Sequence, residues 1–114
     1  MSERVLPLLL EDMAGAINYI LEFTRGMSPE DYESDIKTRF AVERNFEIIG
    51  EAASRIPQDF KSQHPEIEWR IIKDFRNFII HDYFGINQNI IWDTIQYRLA
   101  GLLEQINRLL KELH

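Results

Sequence analysis

A cluster of polar side chains interrupts the most apolar stretch of the chain, and it contains Arg76, His81 and Tyr83. Arginine is a permanent cation that can hold a phosphate through two hydrogen bonds. Histidine can take up or give a proton near neutral pH, and tyrosine donates a hydrogen bond or stacks on a base. Without a metal ion or a thiol, these groups suit attack of an RNA 2′-hydroxyl on its neighbouring phosphate. The histidine would act as base or acid, and the arginine would hold the developing charge.

The spacing of the three residues restricts how they can meet. At about 100° per residue, Tyr83 returns nearly to the face of Arg76, whereas His81 points about 140° away. They therefore converge only if the helix loosens near His81 or if a second subunit supplies one of them. Two cations precede the cluster and are candidate RNA contacts: Arg70 and Lys73.

A structural role would explain the same residue types. An arginine often pairs with an acid such as Asp82, a histidine near a helix end caps carbonyls, and a tyrosine packs. The residue types alone leave both interpretations open. The pattern Arg-x4-His-x-Tyr is a moderately specific motif.

Length and composition limit the alternatives. The chain has 114 residues and contains no cysteine, so we expect a single domain over residues 1–114, without a disulfide scaffold, a thiolate metal site or a cysteine nucleophile. Three histidines are present and no two have metal-ligand spacing. We therefore expect no metal site and no cofactor.

The charge distribution is uneven. The net charge is −6, which argues against a general nucleic-acid coating protein. Residues 1–35 hold eight acids and two bases, so the remaining residues balance at eleven of each, and a local basic surface is possible there. The first apolar run is too short for a signal peptide or a membrane span, so we expect a cytoplasmic protein.

Hydrophobic spacing predicts an all-α fold, an antiparallel bundle of four to five helices. We expect long helices over about 7–25, 35–55 and 87–113, and another that starts near Pro65–Glu68 and continues through Ile80. A short helix or turn is expected to begin at Ser28-Pro29. Residues 58–66 are predicted to be a loop. The last helix carries more apolar residues than one face needs, which is explained either by a homodimer or by a wide contact with the core. These residues are Ile90, Ile91, Trp92, Tyr97, Leu102, Leu103, Leu109 and Leu110.

Three other features of the sequence are better explained by structural roles than by chemical ones. Gly50, within a predicted helix, indicates close approach of another helix. Glu47 and Glu51 resemble a metal-binding pair, but they lack a Glu-x-x-His partner and are better explained as solvated or paired with arginine. Trp69 and Trp92 are expected in the core or an interface.

Two segments resemble the HepT-like branch of the HEPN family. Arg76-Asn77-x-x-x-His81-x-Tyr83 matches the family signature Arg-x4-His-x-Tyr, in which asparagine commonly follows the arginine. Residues 41–53, AVERNFEIIGEAA, resemble the corresponding helix, and Trp92 extends the similarity over essentially the whole chain.

The resemblance implies a homodimeric, metal-independent ribonuclease that acts as the toxin of a type VII toxin–antitoxin pair. Arg76 and His81 would be catalytic in a cleft at the dimer interface, with Asn77 and Asp82 as supporting motif residues. Tyr83 would line the site and would be AMPylated by the antitoxin, an MntA-like nucleotidyltransferase. The alternative is a non-catalytic helical dimer that binds and regulates such a nucleotidyltransferase.

Overall fold

Helices account for most of the described residues, 5–81 and 85–113, in this computed structural model. No strand occurs within these two ranges, so the prediction of an all-α fold is confirmed. The helices in the described ranges are α1 Val5–Phe23, α2 Pro29–Ser34, α3 Ile36–Arg55, α4 Gln58–Gln63, α5 Trp69–His81, α6 Gln88–Tyr97 and α7 Leu99–Leu113. None of the described helices is long and apolar enough to cross a membrane.

Local capping explains where α2 and α3 begin. The Ser28 hydroxyl accepts from the Asp31 N–H at 3.0 Å, and the Asp31 carboxylate accepts from the Ser28 N–H at 3.1 Å. This capping box satisfies two N–H groups that the first turn leaves unpaired. Asp35 caps α3 by accepting from the N–H and hydroxyl of Thr38, and these hydrogen bonds lower the pKa of Asp35. The predicted helix starts at Ser28-Pro29 and near Asp35 are confirmed.

The prediction of a loop over residues 58–66 was wrong, because α4 occupies Gln58–Gln63. Pro57 is the N-cap of α4, with φ −59° and ψ 142°, so the proline that follows the end of α3 lies directly before the first turn of α4. The ring of Phe60 contacts that of His64 at an interplanar angle of 41°, with centroids 4.4 Å apart, and Phe60 packs against the core. This packing stabilises a helix too short to form alone.

The predicted continuous last helix is also wrong, because it is divided at Arg98 into α6 and α7. Arg98 has φ −124°, although its N–H still donates to Thr94 and its carbonyl accepts from Leu102. The break lets the two halves pack on different neighbours. Trp92 of α6 contacts Tyr32 of α2 at 5.4 Å between ring centroids, whereas α7 packs on α1.

The core lies between α1, α3 and α7. An apolar stripe on α3 and its C-cap residue is buried throughout: Val42, Phe46, Ile49, Ala53 and Ile56. Helix α5 packs mainly on α3, and Ile79 is its one fully buried residue. The other apolar side chains of α5 are half-buried or exposed, so this helix lies against the bundle with part of its apolar face uncovered.

Candidate functional site

Helix α5 carries the cations and the histidine that the sequence analysis selected. Its start is fixed by Trp69, whose indole N–H donates to the carbonyl of His64 at 3.0 Å. The face of α5 that packs on α3 is set by Ile79, which is buried, and by Phe75. The ring centroid of Phe75 lies 4.8 Å from that of Phe46. The candidate catalytic side chains therefore project from a helix with one defined orientation on the bundle.

The aliphatic stem of Arg76 lies directly on Gly50 of α3. A Cβ built on Gly50 would lie 2.6 Å from Cδ and 2.7 Å from Cγ of Arg76, and it would also overlap Arg76 Cβ. No real side chain tolerates such distances, so only glycine lets α5 approach α3 this closely. The predicted close helix approach at Gly50 is confirmed, and the residue that uses the space is Arg76.

The guanidinium of Arg76 is only partly engaged. Its Nη2 lies 3.9 Å from a carboxylate oxygen of Glu51, while its Nε is buried without a hydrogen-bond partner. Burying an unpaired donor costs free energy unless a ligand or another chain satisfies it. Glu51 thus contacts arginine, as expected, and Glu47 likewise pairs with Arg44 at 3.2 Å. The Arg76 guanidinium keeps donors available for an anion.

His81 is the last residue of α5 and is exposed. Because α5 stays helical through this residue, Arg76 and His81 project about 140° apart and about 7.5 Å apart along the axis. The helix does not bring them together within one chain. Asn77 is half-buried between them. Asp82 and Tyr83 lie outside the described residues.

An open groove of about 660 Å³, lined by both apolar and charged side chains, runs between α5 and the α6–α7 pair. Ile71 of α5 is 47% exposed there, and Ile90 and Tyr97 of α6 are 45% and 83% exposed. Of the apolar residues expected in excess on the last helix, Ile91, Trp92 and Leu109 belong to the core, and Ile90 and Tyr97 remain exposed. The groove continues the uncovered side of α5.

Comparison with known proteins identifies the family. A sequence profile described as "Ribonuclease HepT-like" matches residues 13–109. The chain belongs to the HepT-like ribonuclease family. A protein of Thermococcus cleftensis named "Probable ribonuclease HepT" is 47% identical over 102 residues, which cover 90% of this chain and 93% of that protein.

Two further relatives are provisionally named as RNases. One, from Methanocaldococcus jannaschii, is 35% identical and aligns over 91% of this chain and 86% of its own length. The other, from Caldanaerobacter subterraneus, is 35% identical over 90% of this chain and 92% of its own length. No solved structure matches this HepT-like chain.

The HepT-like chain carries one cation that sequence reasoning missed. Lys61 lies on α4, in a segment that the sequence predicts to be a loop, and its Nζ is 5.9 Å from the centroid of the Trp69 ring. The signal that could have revealed α4 was a proline followed by an acid in the next turn, Pro57 and Asp59. Trp69 is therefore partly buried as expected, and it also positions a lysine.

The remaining candidate residues of this HepT-like protein are cations on the exposed side of α5. Arg70 and Lys73 are exposed, and no described carboxylate lies within ion-pairing distance of either. Within residues 5–81 and 85–113, no three histidine, aspartate or glutamate side chains cluster as metal ligands. The described chemistry on α5 thus consists of one exposed imidazole and several cations.

Proposed function

We propose that this HepT-like protein is a metal-independent endoribonuclease that cleaves RNA by attack of a 2′-hydroxyl on the adjacent phosphate. His81 would move the proton, and Arg76 would hold the charge that develops on the phosphate. The observation that carries the proposal is Arg76, whose aliphatic stem lies on Gly50 and whose guanidinium has a buried, unpartnered Nε. An exposed histidine ends the same helix.

The active form in this proposal is a homodimer whose site lies in a cleft between the copies. The support is geometric, since Arg76 and His81 project about 140° apart on a continuous helix. A second copy across a twofold axis could bring its own His81 to the Arg76 of the first. The uncovered groove beside α5 gives such a copy an apolar surface to bury.

Cleavage of RNA in the presence of EDTA tests the chemistry. We expect the purified protein to cut single-stranded RNA in excess EDTA and to leave 2′,3′-cyclic phosphate ends, because the leaving 5′-oxygen is displaced by the 2′-hydroxyl. Mass spectrometry of the fragments checks the ends. Intact RNA at high enzyme concentration, with the helical fold verified by circular dichroism, would overturn the proposal and favour a non-catalytic partner-binding dimer.

The proposal extends to control by a partner. The protein would be the toxin of a toxin–antitoxin pair, neutralised by an MntA-like nucleotidyltransferase that transfers AMP to Tyr83. Each AMP adds phosphate charge and bulk beside a site meant for an RNA phosphate, so it should repel and block the substrate. The phosphate anion would compete for the same Arg76 donors.

Intact mass of the protein co-expressed with such a nucleotidyltransferase tests this control. We expect added mass in steps of one AMP and loss of RNA cleavage in the parent protein, and no added mass in Tyr83→Phe. Tyr97→Phe, at an exposed tyrosine on α6, is the matched control and should still be modified. Modification that persists in Tyr83→Phe would assign the acceptor to another residue.

A further inference from the structure

A concave surface lies beside the candidate site, between the end of α3, α4 and the first half of α5. Its volume is about 860 Å³, and three cations line it: Lys61, Arg70 and Lys73. We call it the basic concavity. Because α4 was not expected from the sequence, this grouping of cations is a consequence of the tertiary structure.

The cations of the basic concavity are not neutralised by ion pairs. No described carboxylate lies within 4.0 Å of the three side chains. Two acids line the same surface, but Glu68 is 3.2 Å from Arg98, and Asp74 is a single opposing charge. Like charges held together destabilise a folded chain unless an anion lies between them.

Lys61 is held in place by an aromatic ring instead of an acid. Its Nζ lies 5.9 Å from the centroid of Trp69, a cation–π geometry. Partial burial is the largest cause of the lowered pKa of Lys61, and the neighbouring charge of Lys73 adds to it. The lysine ammonium is thus held in place and partly shielded from water, and no described carboxylate neutralises its positive charge.

One cation of the basic concavity, Arg70, lies on the same face of α5 as His81. Arg70 lies 11 positions before His81, so the two point within about 20° of each other and are about 16.5 Å apart along the axis. A strand whose scissile phosphate lies at His81 could therefore continue along this helix face, past the exposed Asp74, to the concavity. A basic groove that tracks the backbone is how single strands are held without sequence preference.

We infer that the basic concavity binds the phosphodiester backbone of single-stranded RNA outside the cleavage site. The inference rests on the proposed ribonuclease function, because the direction of the strand is set by His81. RNA is favoured over an acidic peptide because two of the cations, Arg70 and Lys73, lie on the same helix as the residues proposed to cut it. Phosphates would satisfy Lys61, Arg70 and Lys73, which the protein itself leaves unpaired.

Binding of labelled single-stranded RNA to the full-length His81→Ala variant, measured by fluorescence anisotropy over a range of salt concentrations, tests the inference. We expect Lys61→Gln and Lys73→Gln to weaken binding several-fold each. Each should also reduce the slope of log K against log salt by about 0.7, the value for one phosphate contact on a single strand. Lys37→Gln and Lys111→Gln, at exposed lysines of α3 and α7, are matched controls and should bind like the parent.

The outcomes separate the possible explanations. Affinity and salt slope equal to those of the controls would overturn the inference. Equal binding of a polyglutamate peptide would assign the surface to an acidic protein instead, and full competition by inorganic phosphate at low millimolar concentration would indicate a simple anion site. Lys73 is exposed, so Lys73→Gln keeps the test valid if Lys61→Gln misfolds.

This experiment also distinguishes failure of the inference from failure of the proposed function. Binding is measured without cleavage, so RNA that binds through these lysines but is never cut by the unmodified protein would refute only the ribonuclease proposal. RNA that is cut while the lysine variants match the controls would refute only the basic concavity. In the active protein, the two lysine variants should raise KM by a larger factor than they lower kcat.

Discussion

Replacing His81 with alanine is expected to lower the rate of RNA cleavage by about 10² to 10⁴, the usual contribution of a positioned general acid or base. His81 is exposed at the end of α5, so its removal should leave the thermal unfolding midpoint unchanged. The matched control is His64→Ala. His64 lies outside α5, its ring contacts Phe60 and it pairs with Glu66, so its loss should leave kcat intact.

Arg76→Ala should have a similar effect for a different reason. Loss of a cation that holds transition-state charge typically costs about 10² to 10³ in rate. Arg25→Ala, at an exposed arginine in the turn after α1, is the control and should retain cleavage. Single-turnover rates, measured in EDTA on identical RNA, compare the variants. Wild-type rates in both Arg76→Ala and His81→Ala would contradict the assignment of this chemistry to α5.

A mixture of the two inactive variants tests whether the site is shared between chains. If Arg76 of one copy acts with His81 of the other, a dimer of Arg76→Ala with His81→Ala contains one site with both groups. Refolding an equal mixture should then restore about a quarter of wild-type activity, because half the dimers are mixed and each has one of two sites intact. No recovery, despite mixed dimers detected by native mass spectrometry, would mean that each chain supplies both groups.

Gly50→Ala is expected to destabilise the protein and to impair the candidate site. The added Cβ would meet Cβ, Cγ and Cδ of Arg76, and the first of these moves only with the α5 backbone. Overpacking of this kind costs about 1–3 kcal/mol, and alanine returns about 1 kcal/mol of helix propensity. We expect a net loss of about 1 kcal/mol in the free energy of unfolding. A shift of Arg76 by about 1 Å could lower cleavage by about 10²-fold.

Gly15→Ala provides the matched control, because Gly15 is also helical and an added Cβ there would meet nothing within 4 Å. This variant should be stabilised by about 0.5–1 kcal/mol and should cleave RNA normally. Urea denaturation gives both free energies of unfolding. If Gly50→Ala gained stability as Gly15→Ala does, α5 would not be held against α3 in the way described.

Local features of the fold could be predicted from the sequence because their causes are local. The capping box at Ser28 and the Asp35 cap involve atoms within three residues of each other, so the order of residues is enough to predict them. The buried stripe of α3 follows from the helical period in the same way. The angle and the axial distance between Arg76 and His81 likewise depend only on the geometry of one helix.

Features that depend on distant packing could not be predicted. The hydrophobic spacing of the sequence continues through Arg98 and therefore predicts one helix. The break there depends on the different helices on which α6 and α7 pack. The composition of residues 58–66 is polar, and α4 becomes a helix because Phe60 packs on a core that other segments build.

The chain by itself therefore determined which chemical groups are available, namely a guanidinium, an imidazole and a tyrosine at fixed spacing on an all-helical protein. The tertiary structure decided which residues surround these groups. It seats Arg76 on Gly50, 26 positions earlier in the chain, and brings Lys61 over Trp69 beside Arg70 and Lys73. The physical reason is that periodicity reports which side of a helix is buried, whereas the contacts of that side depend on how separate helices pack.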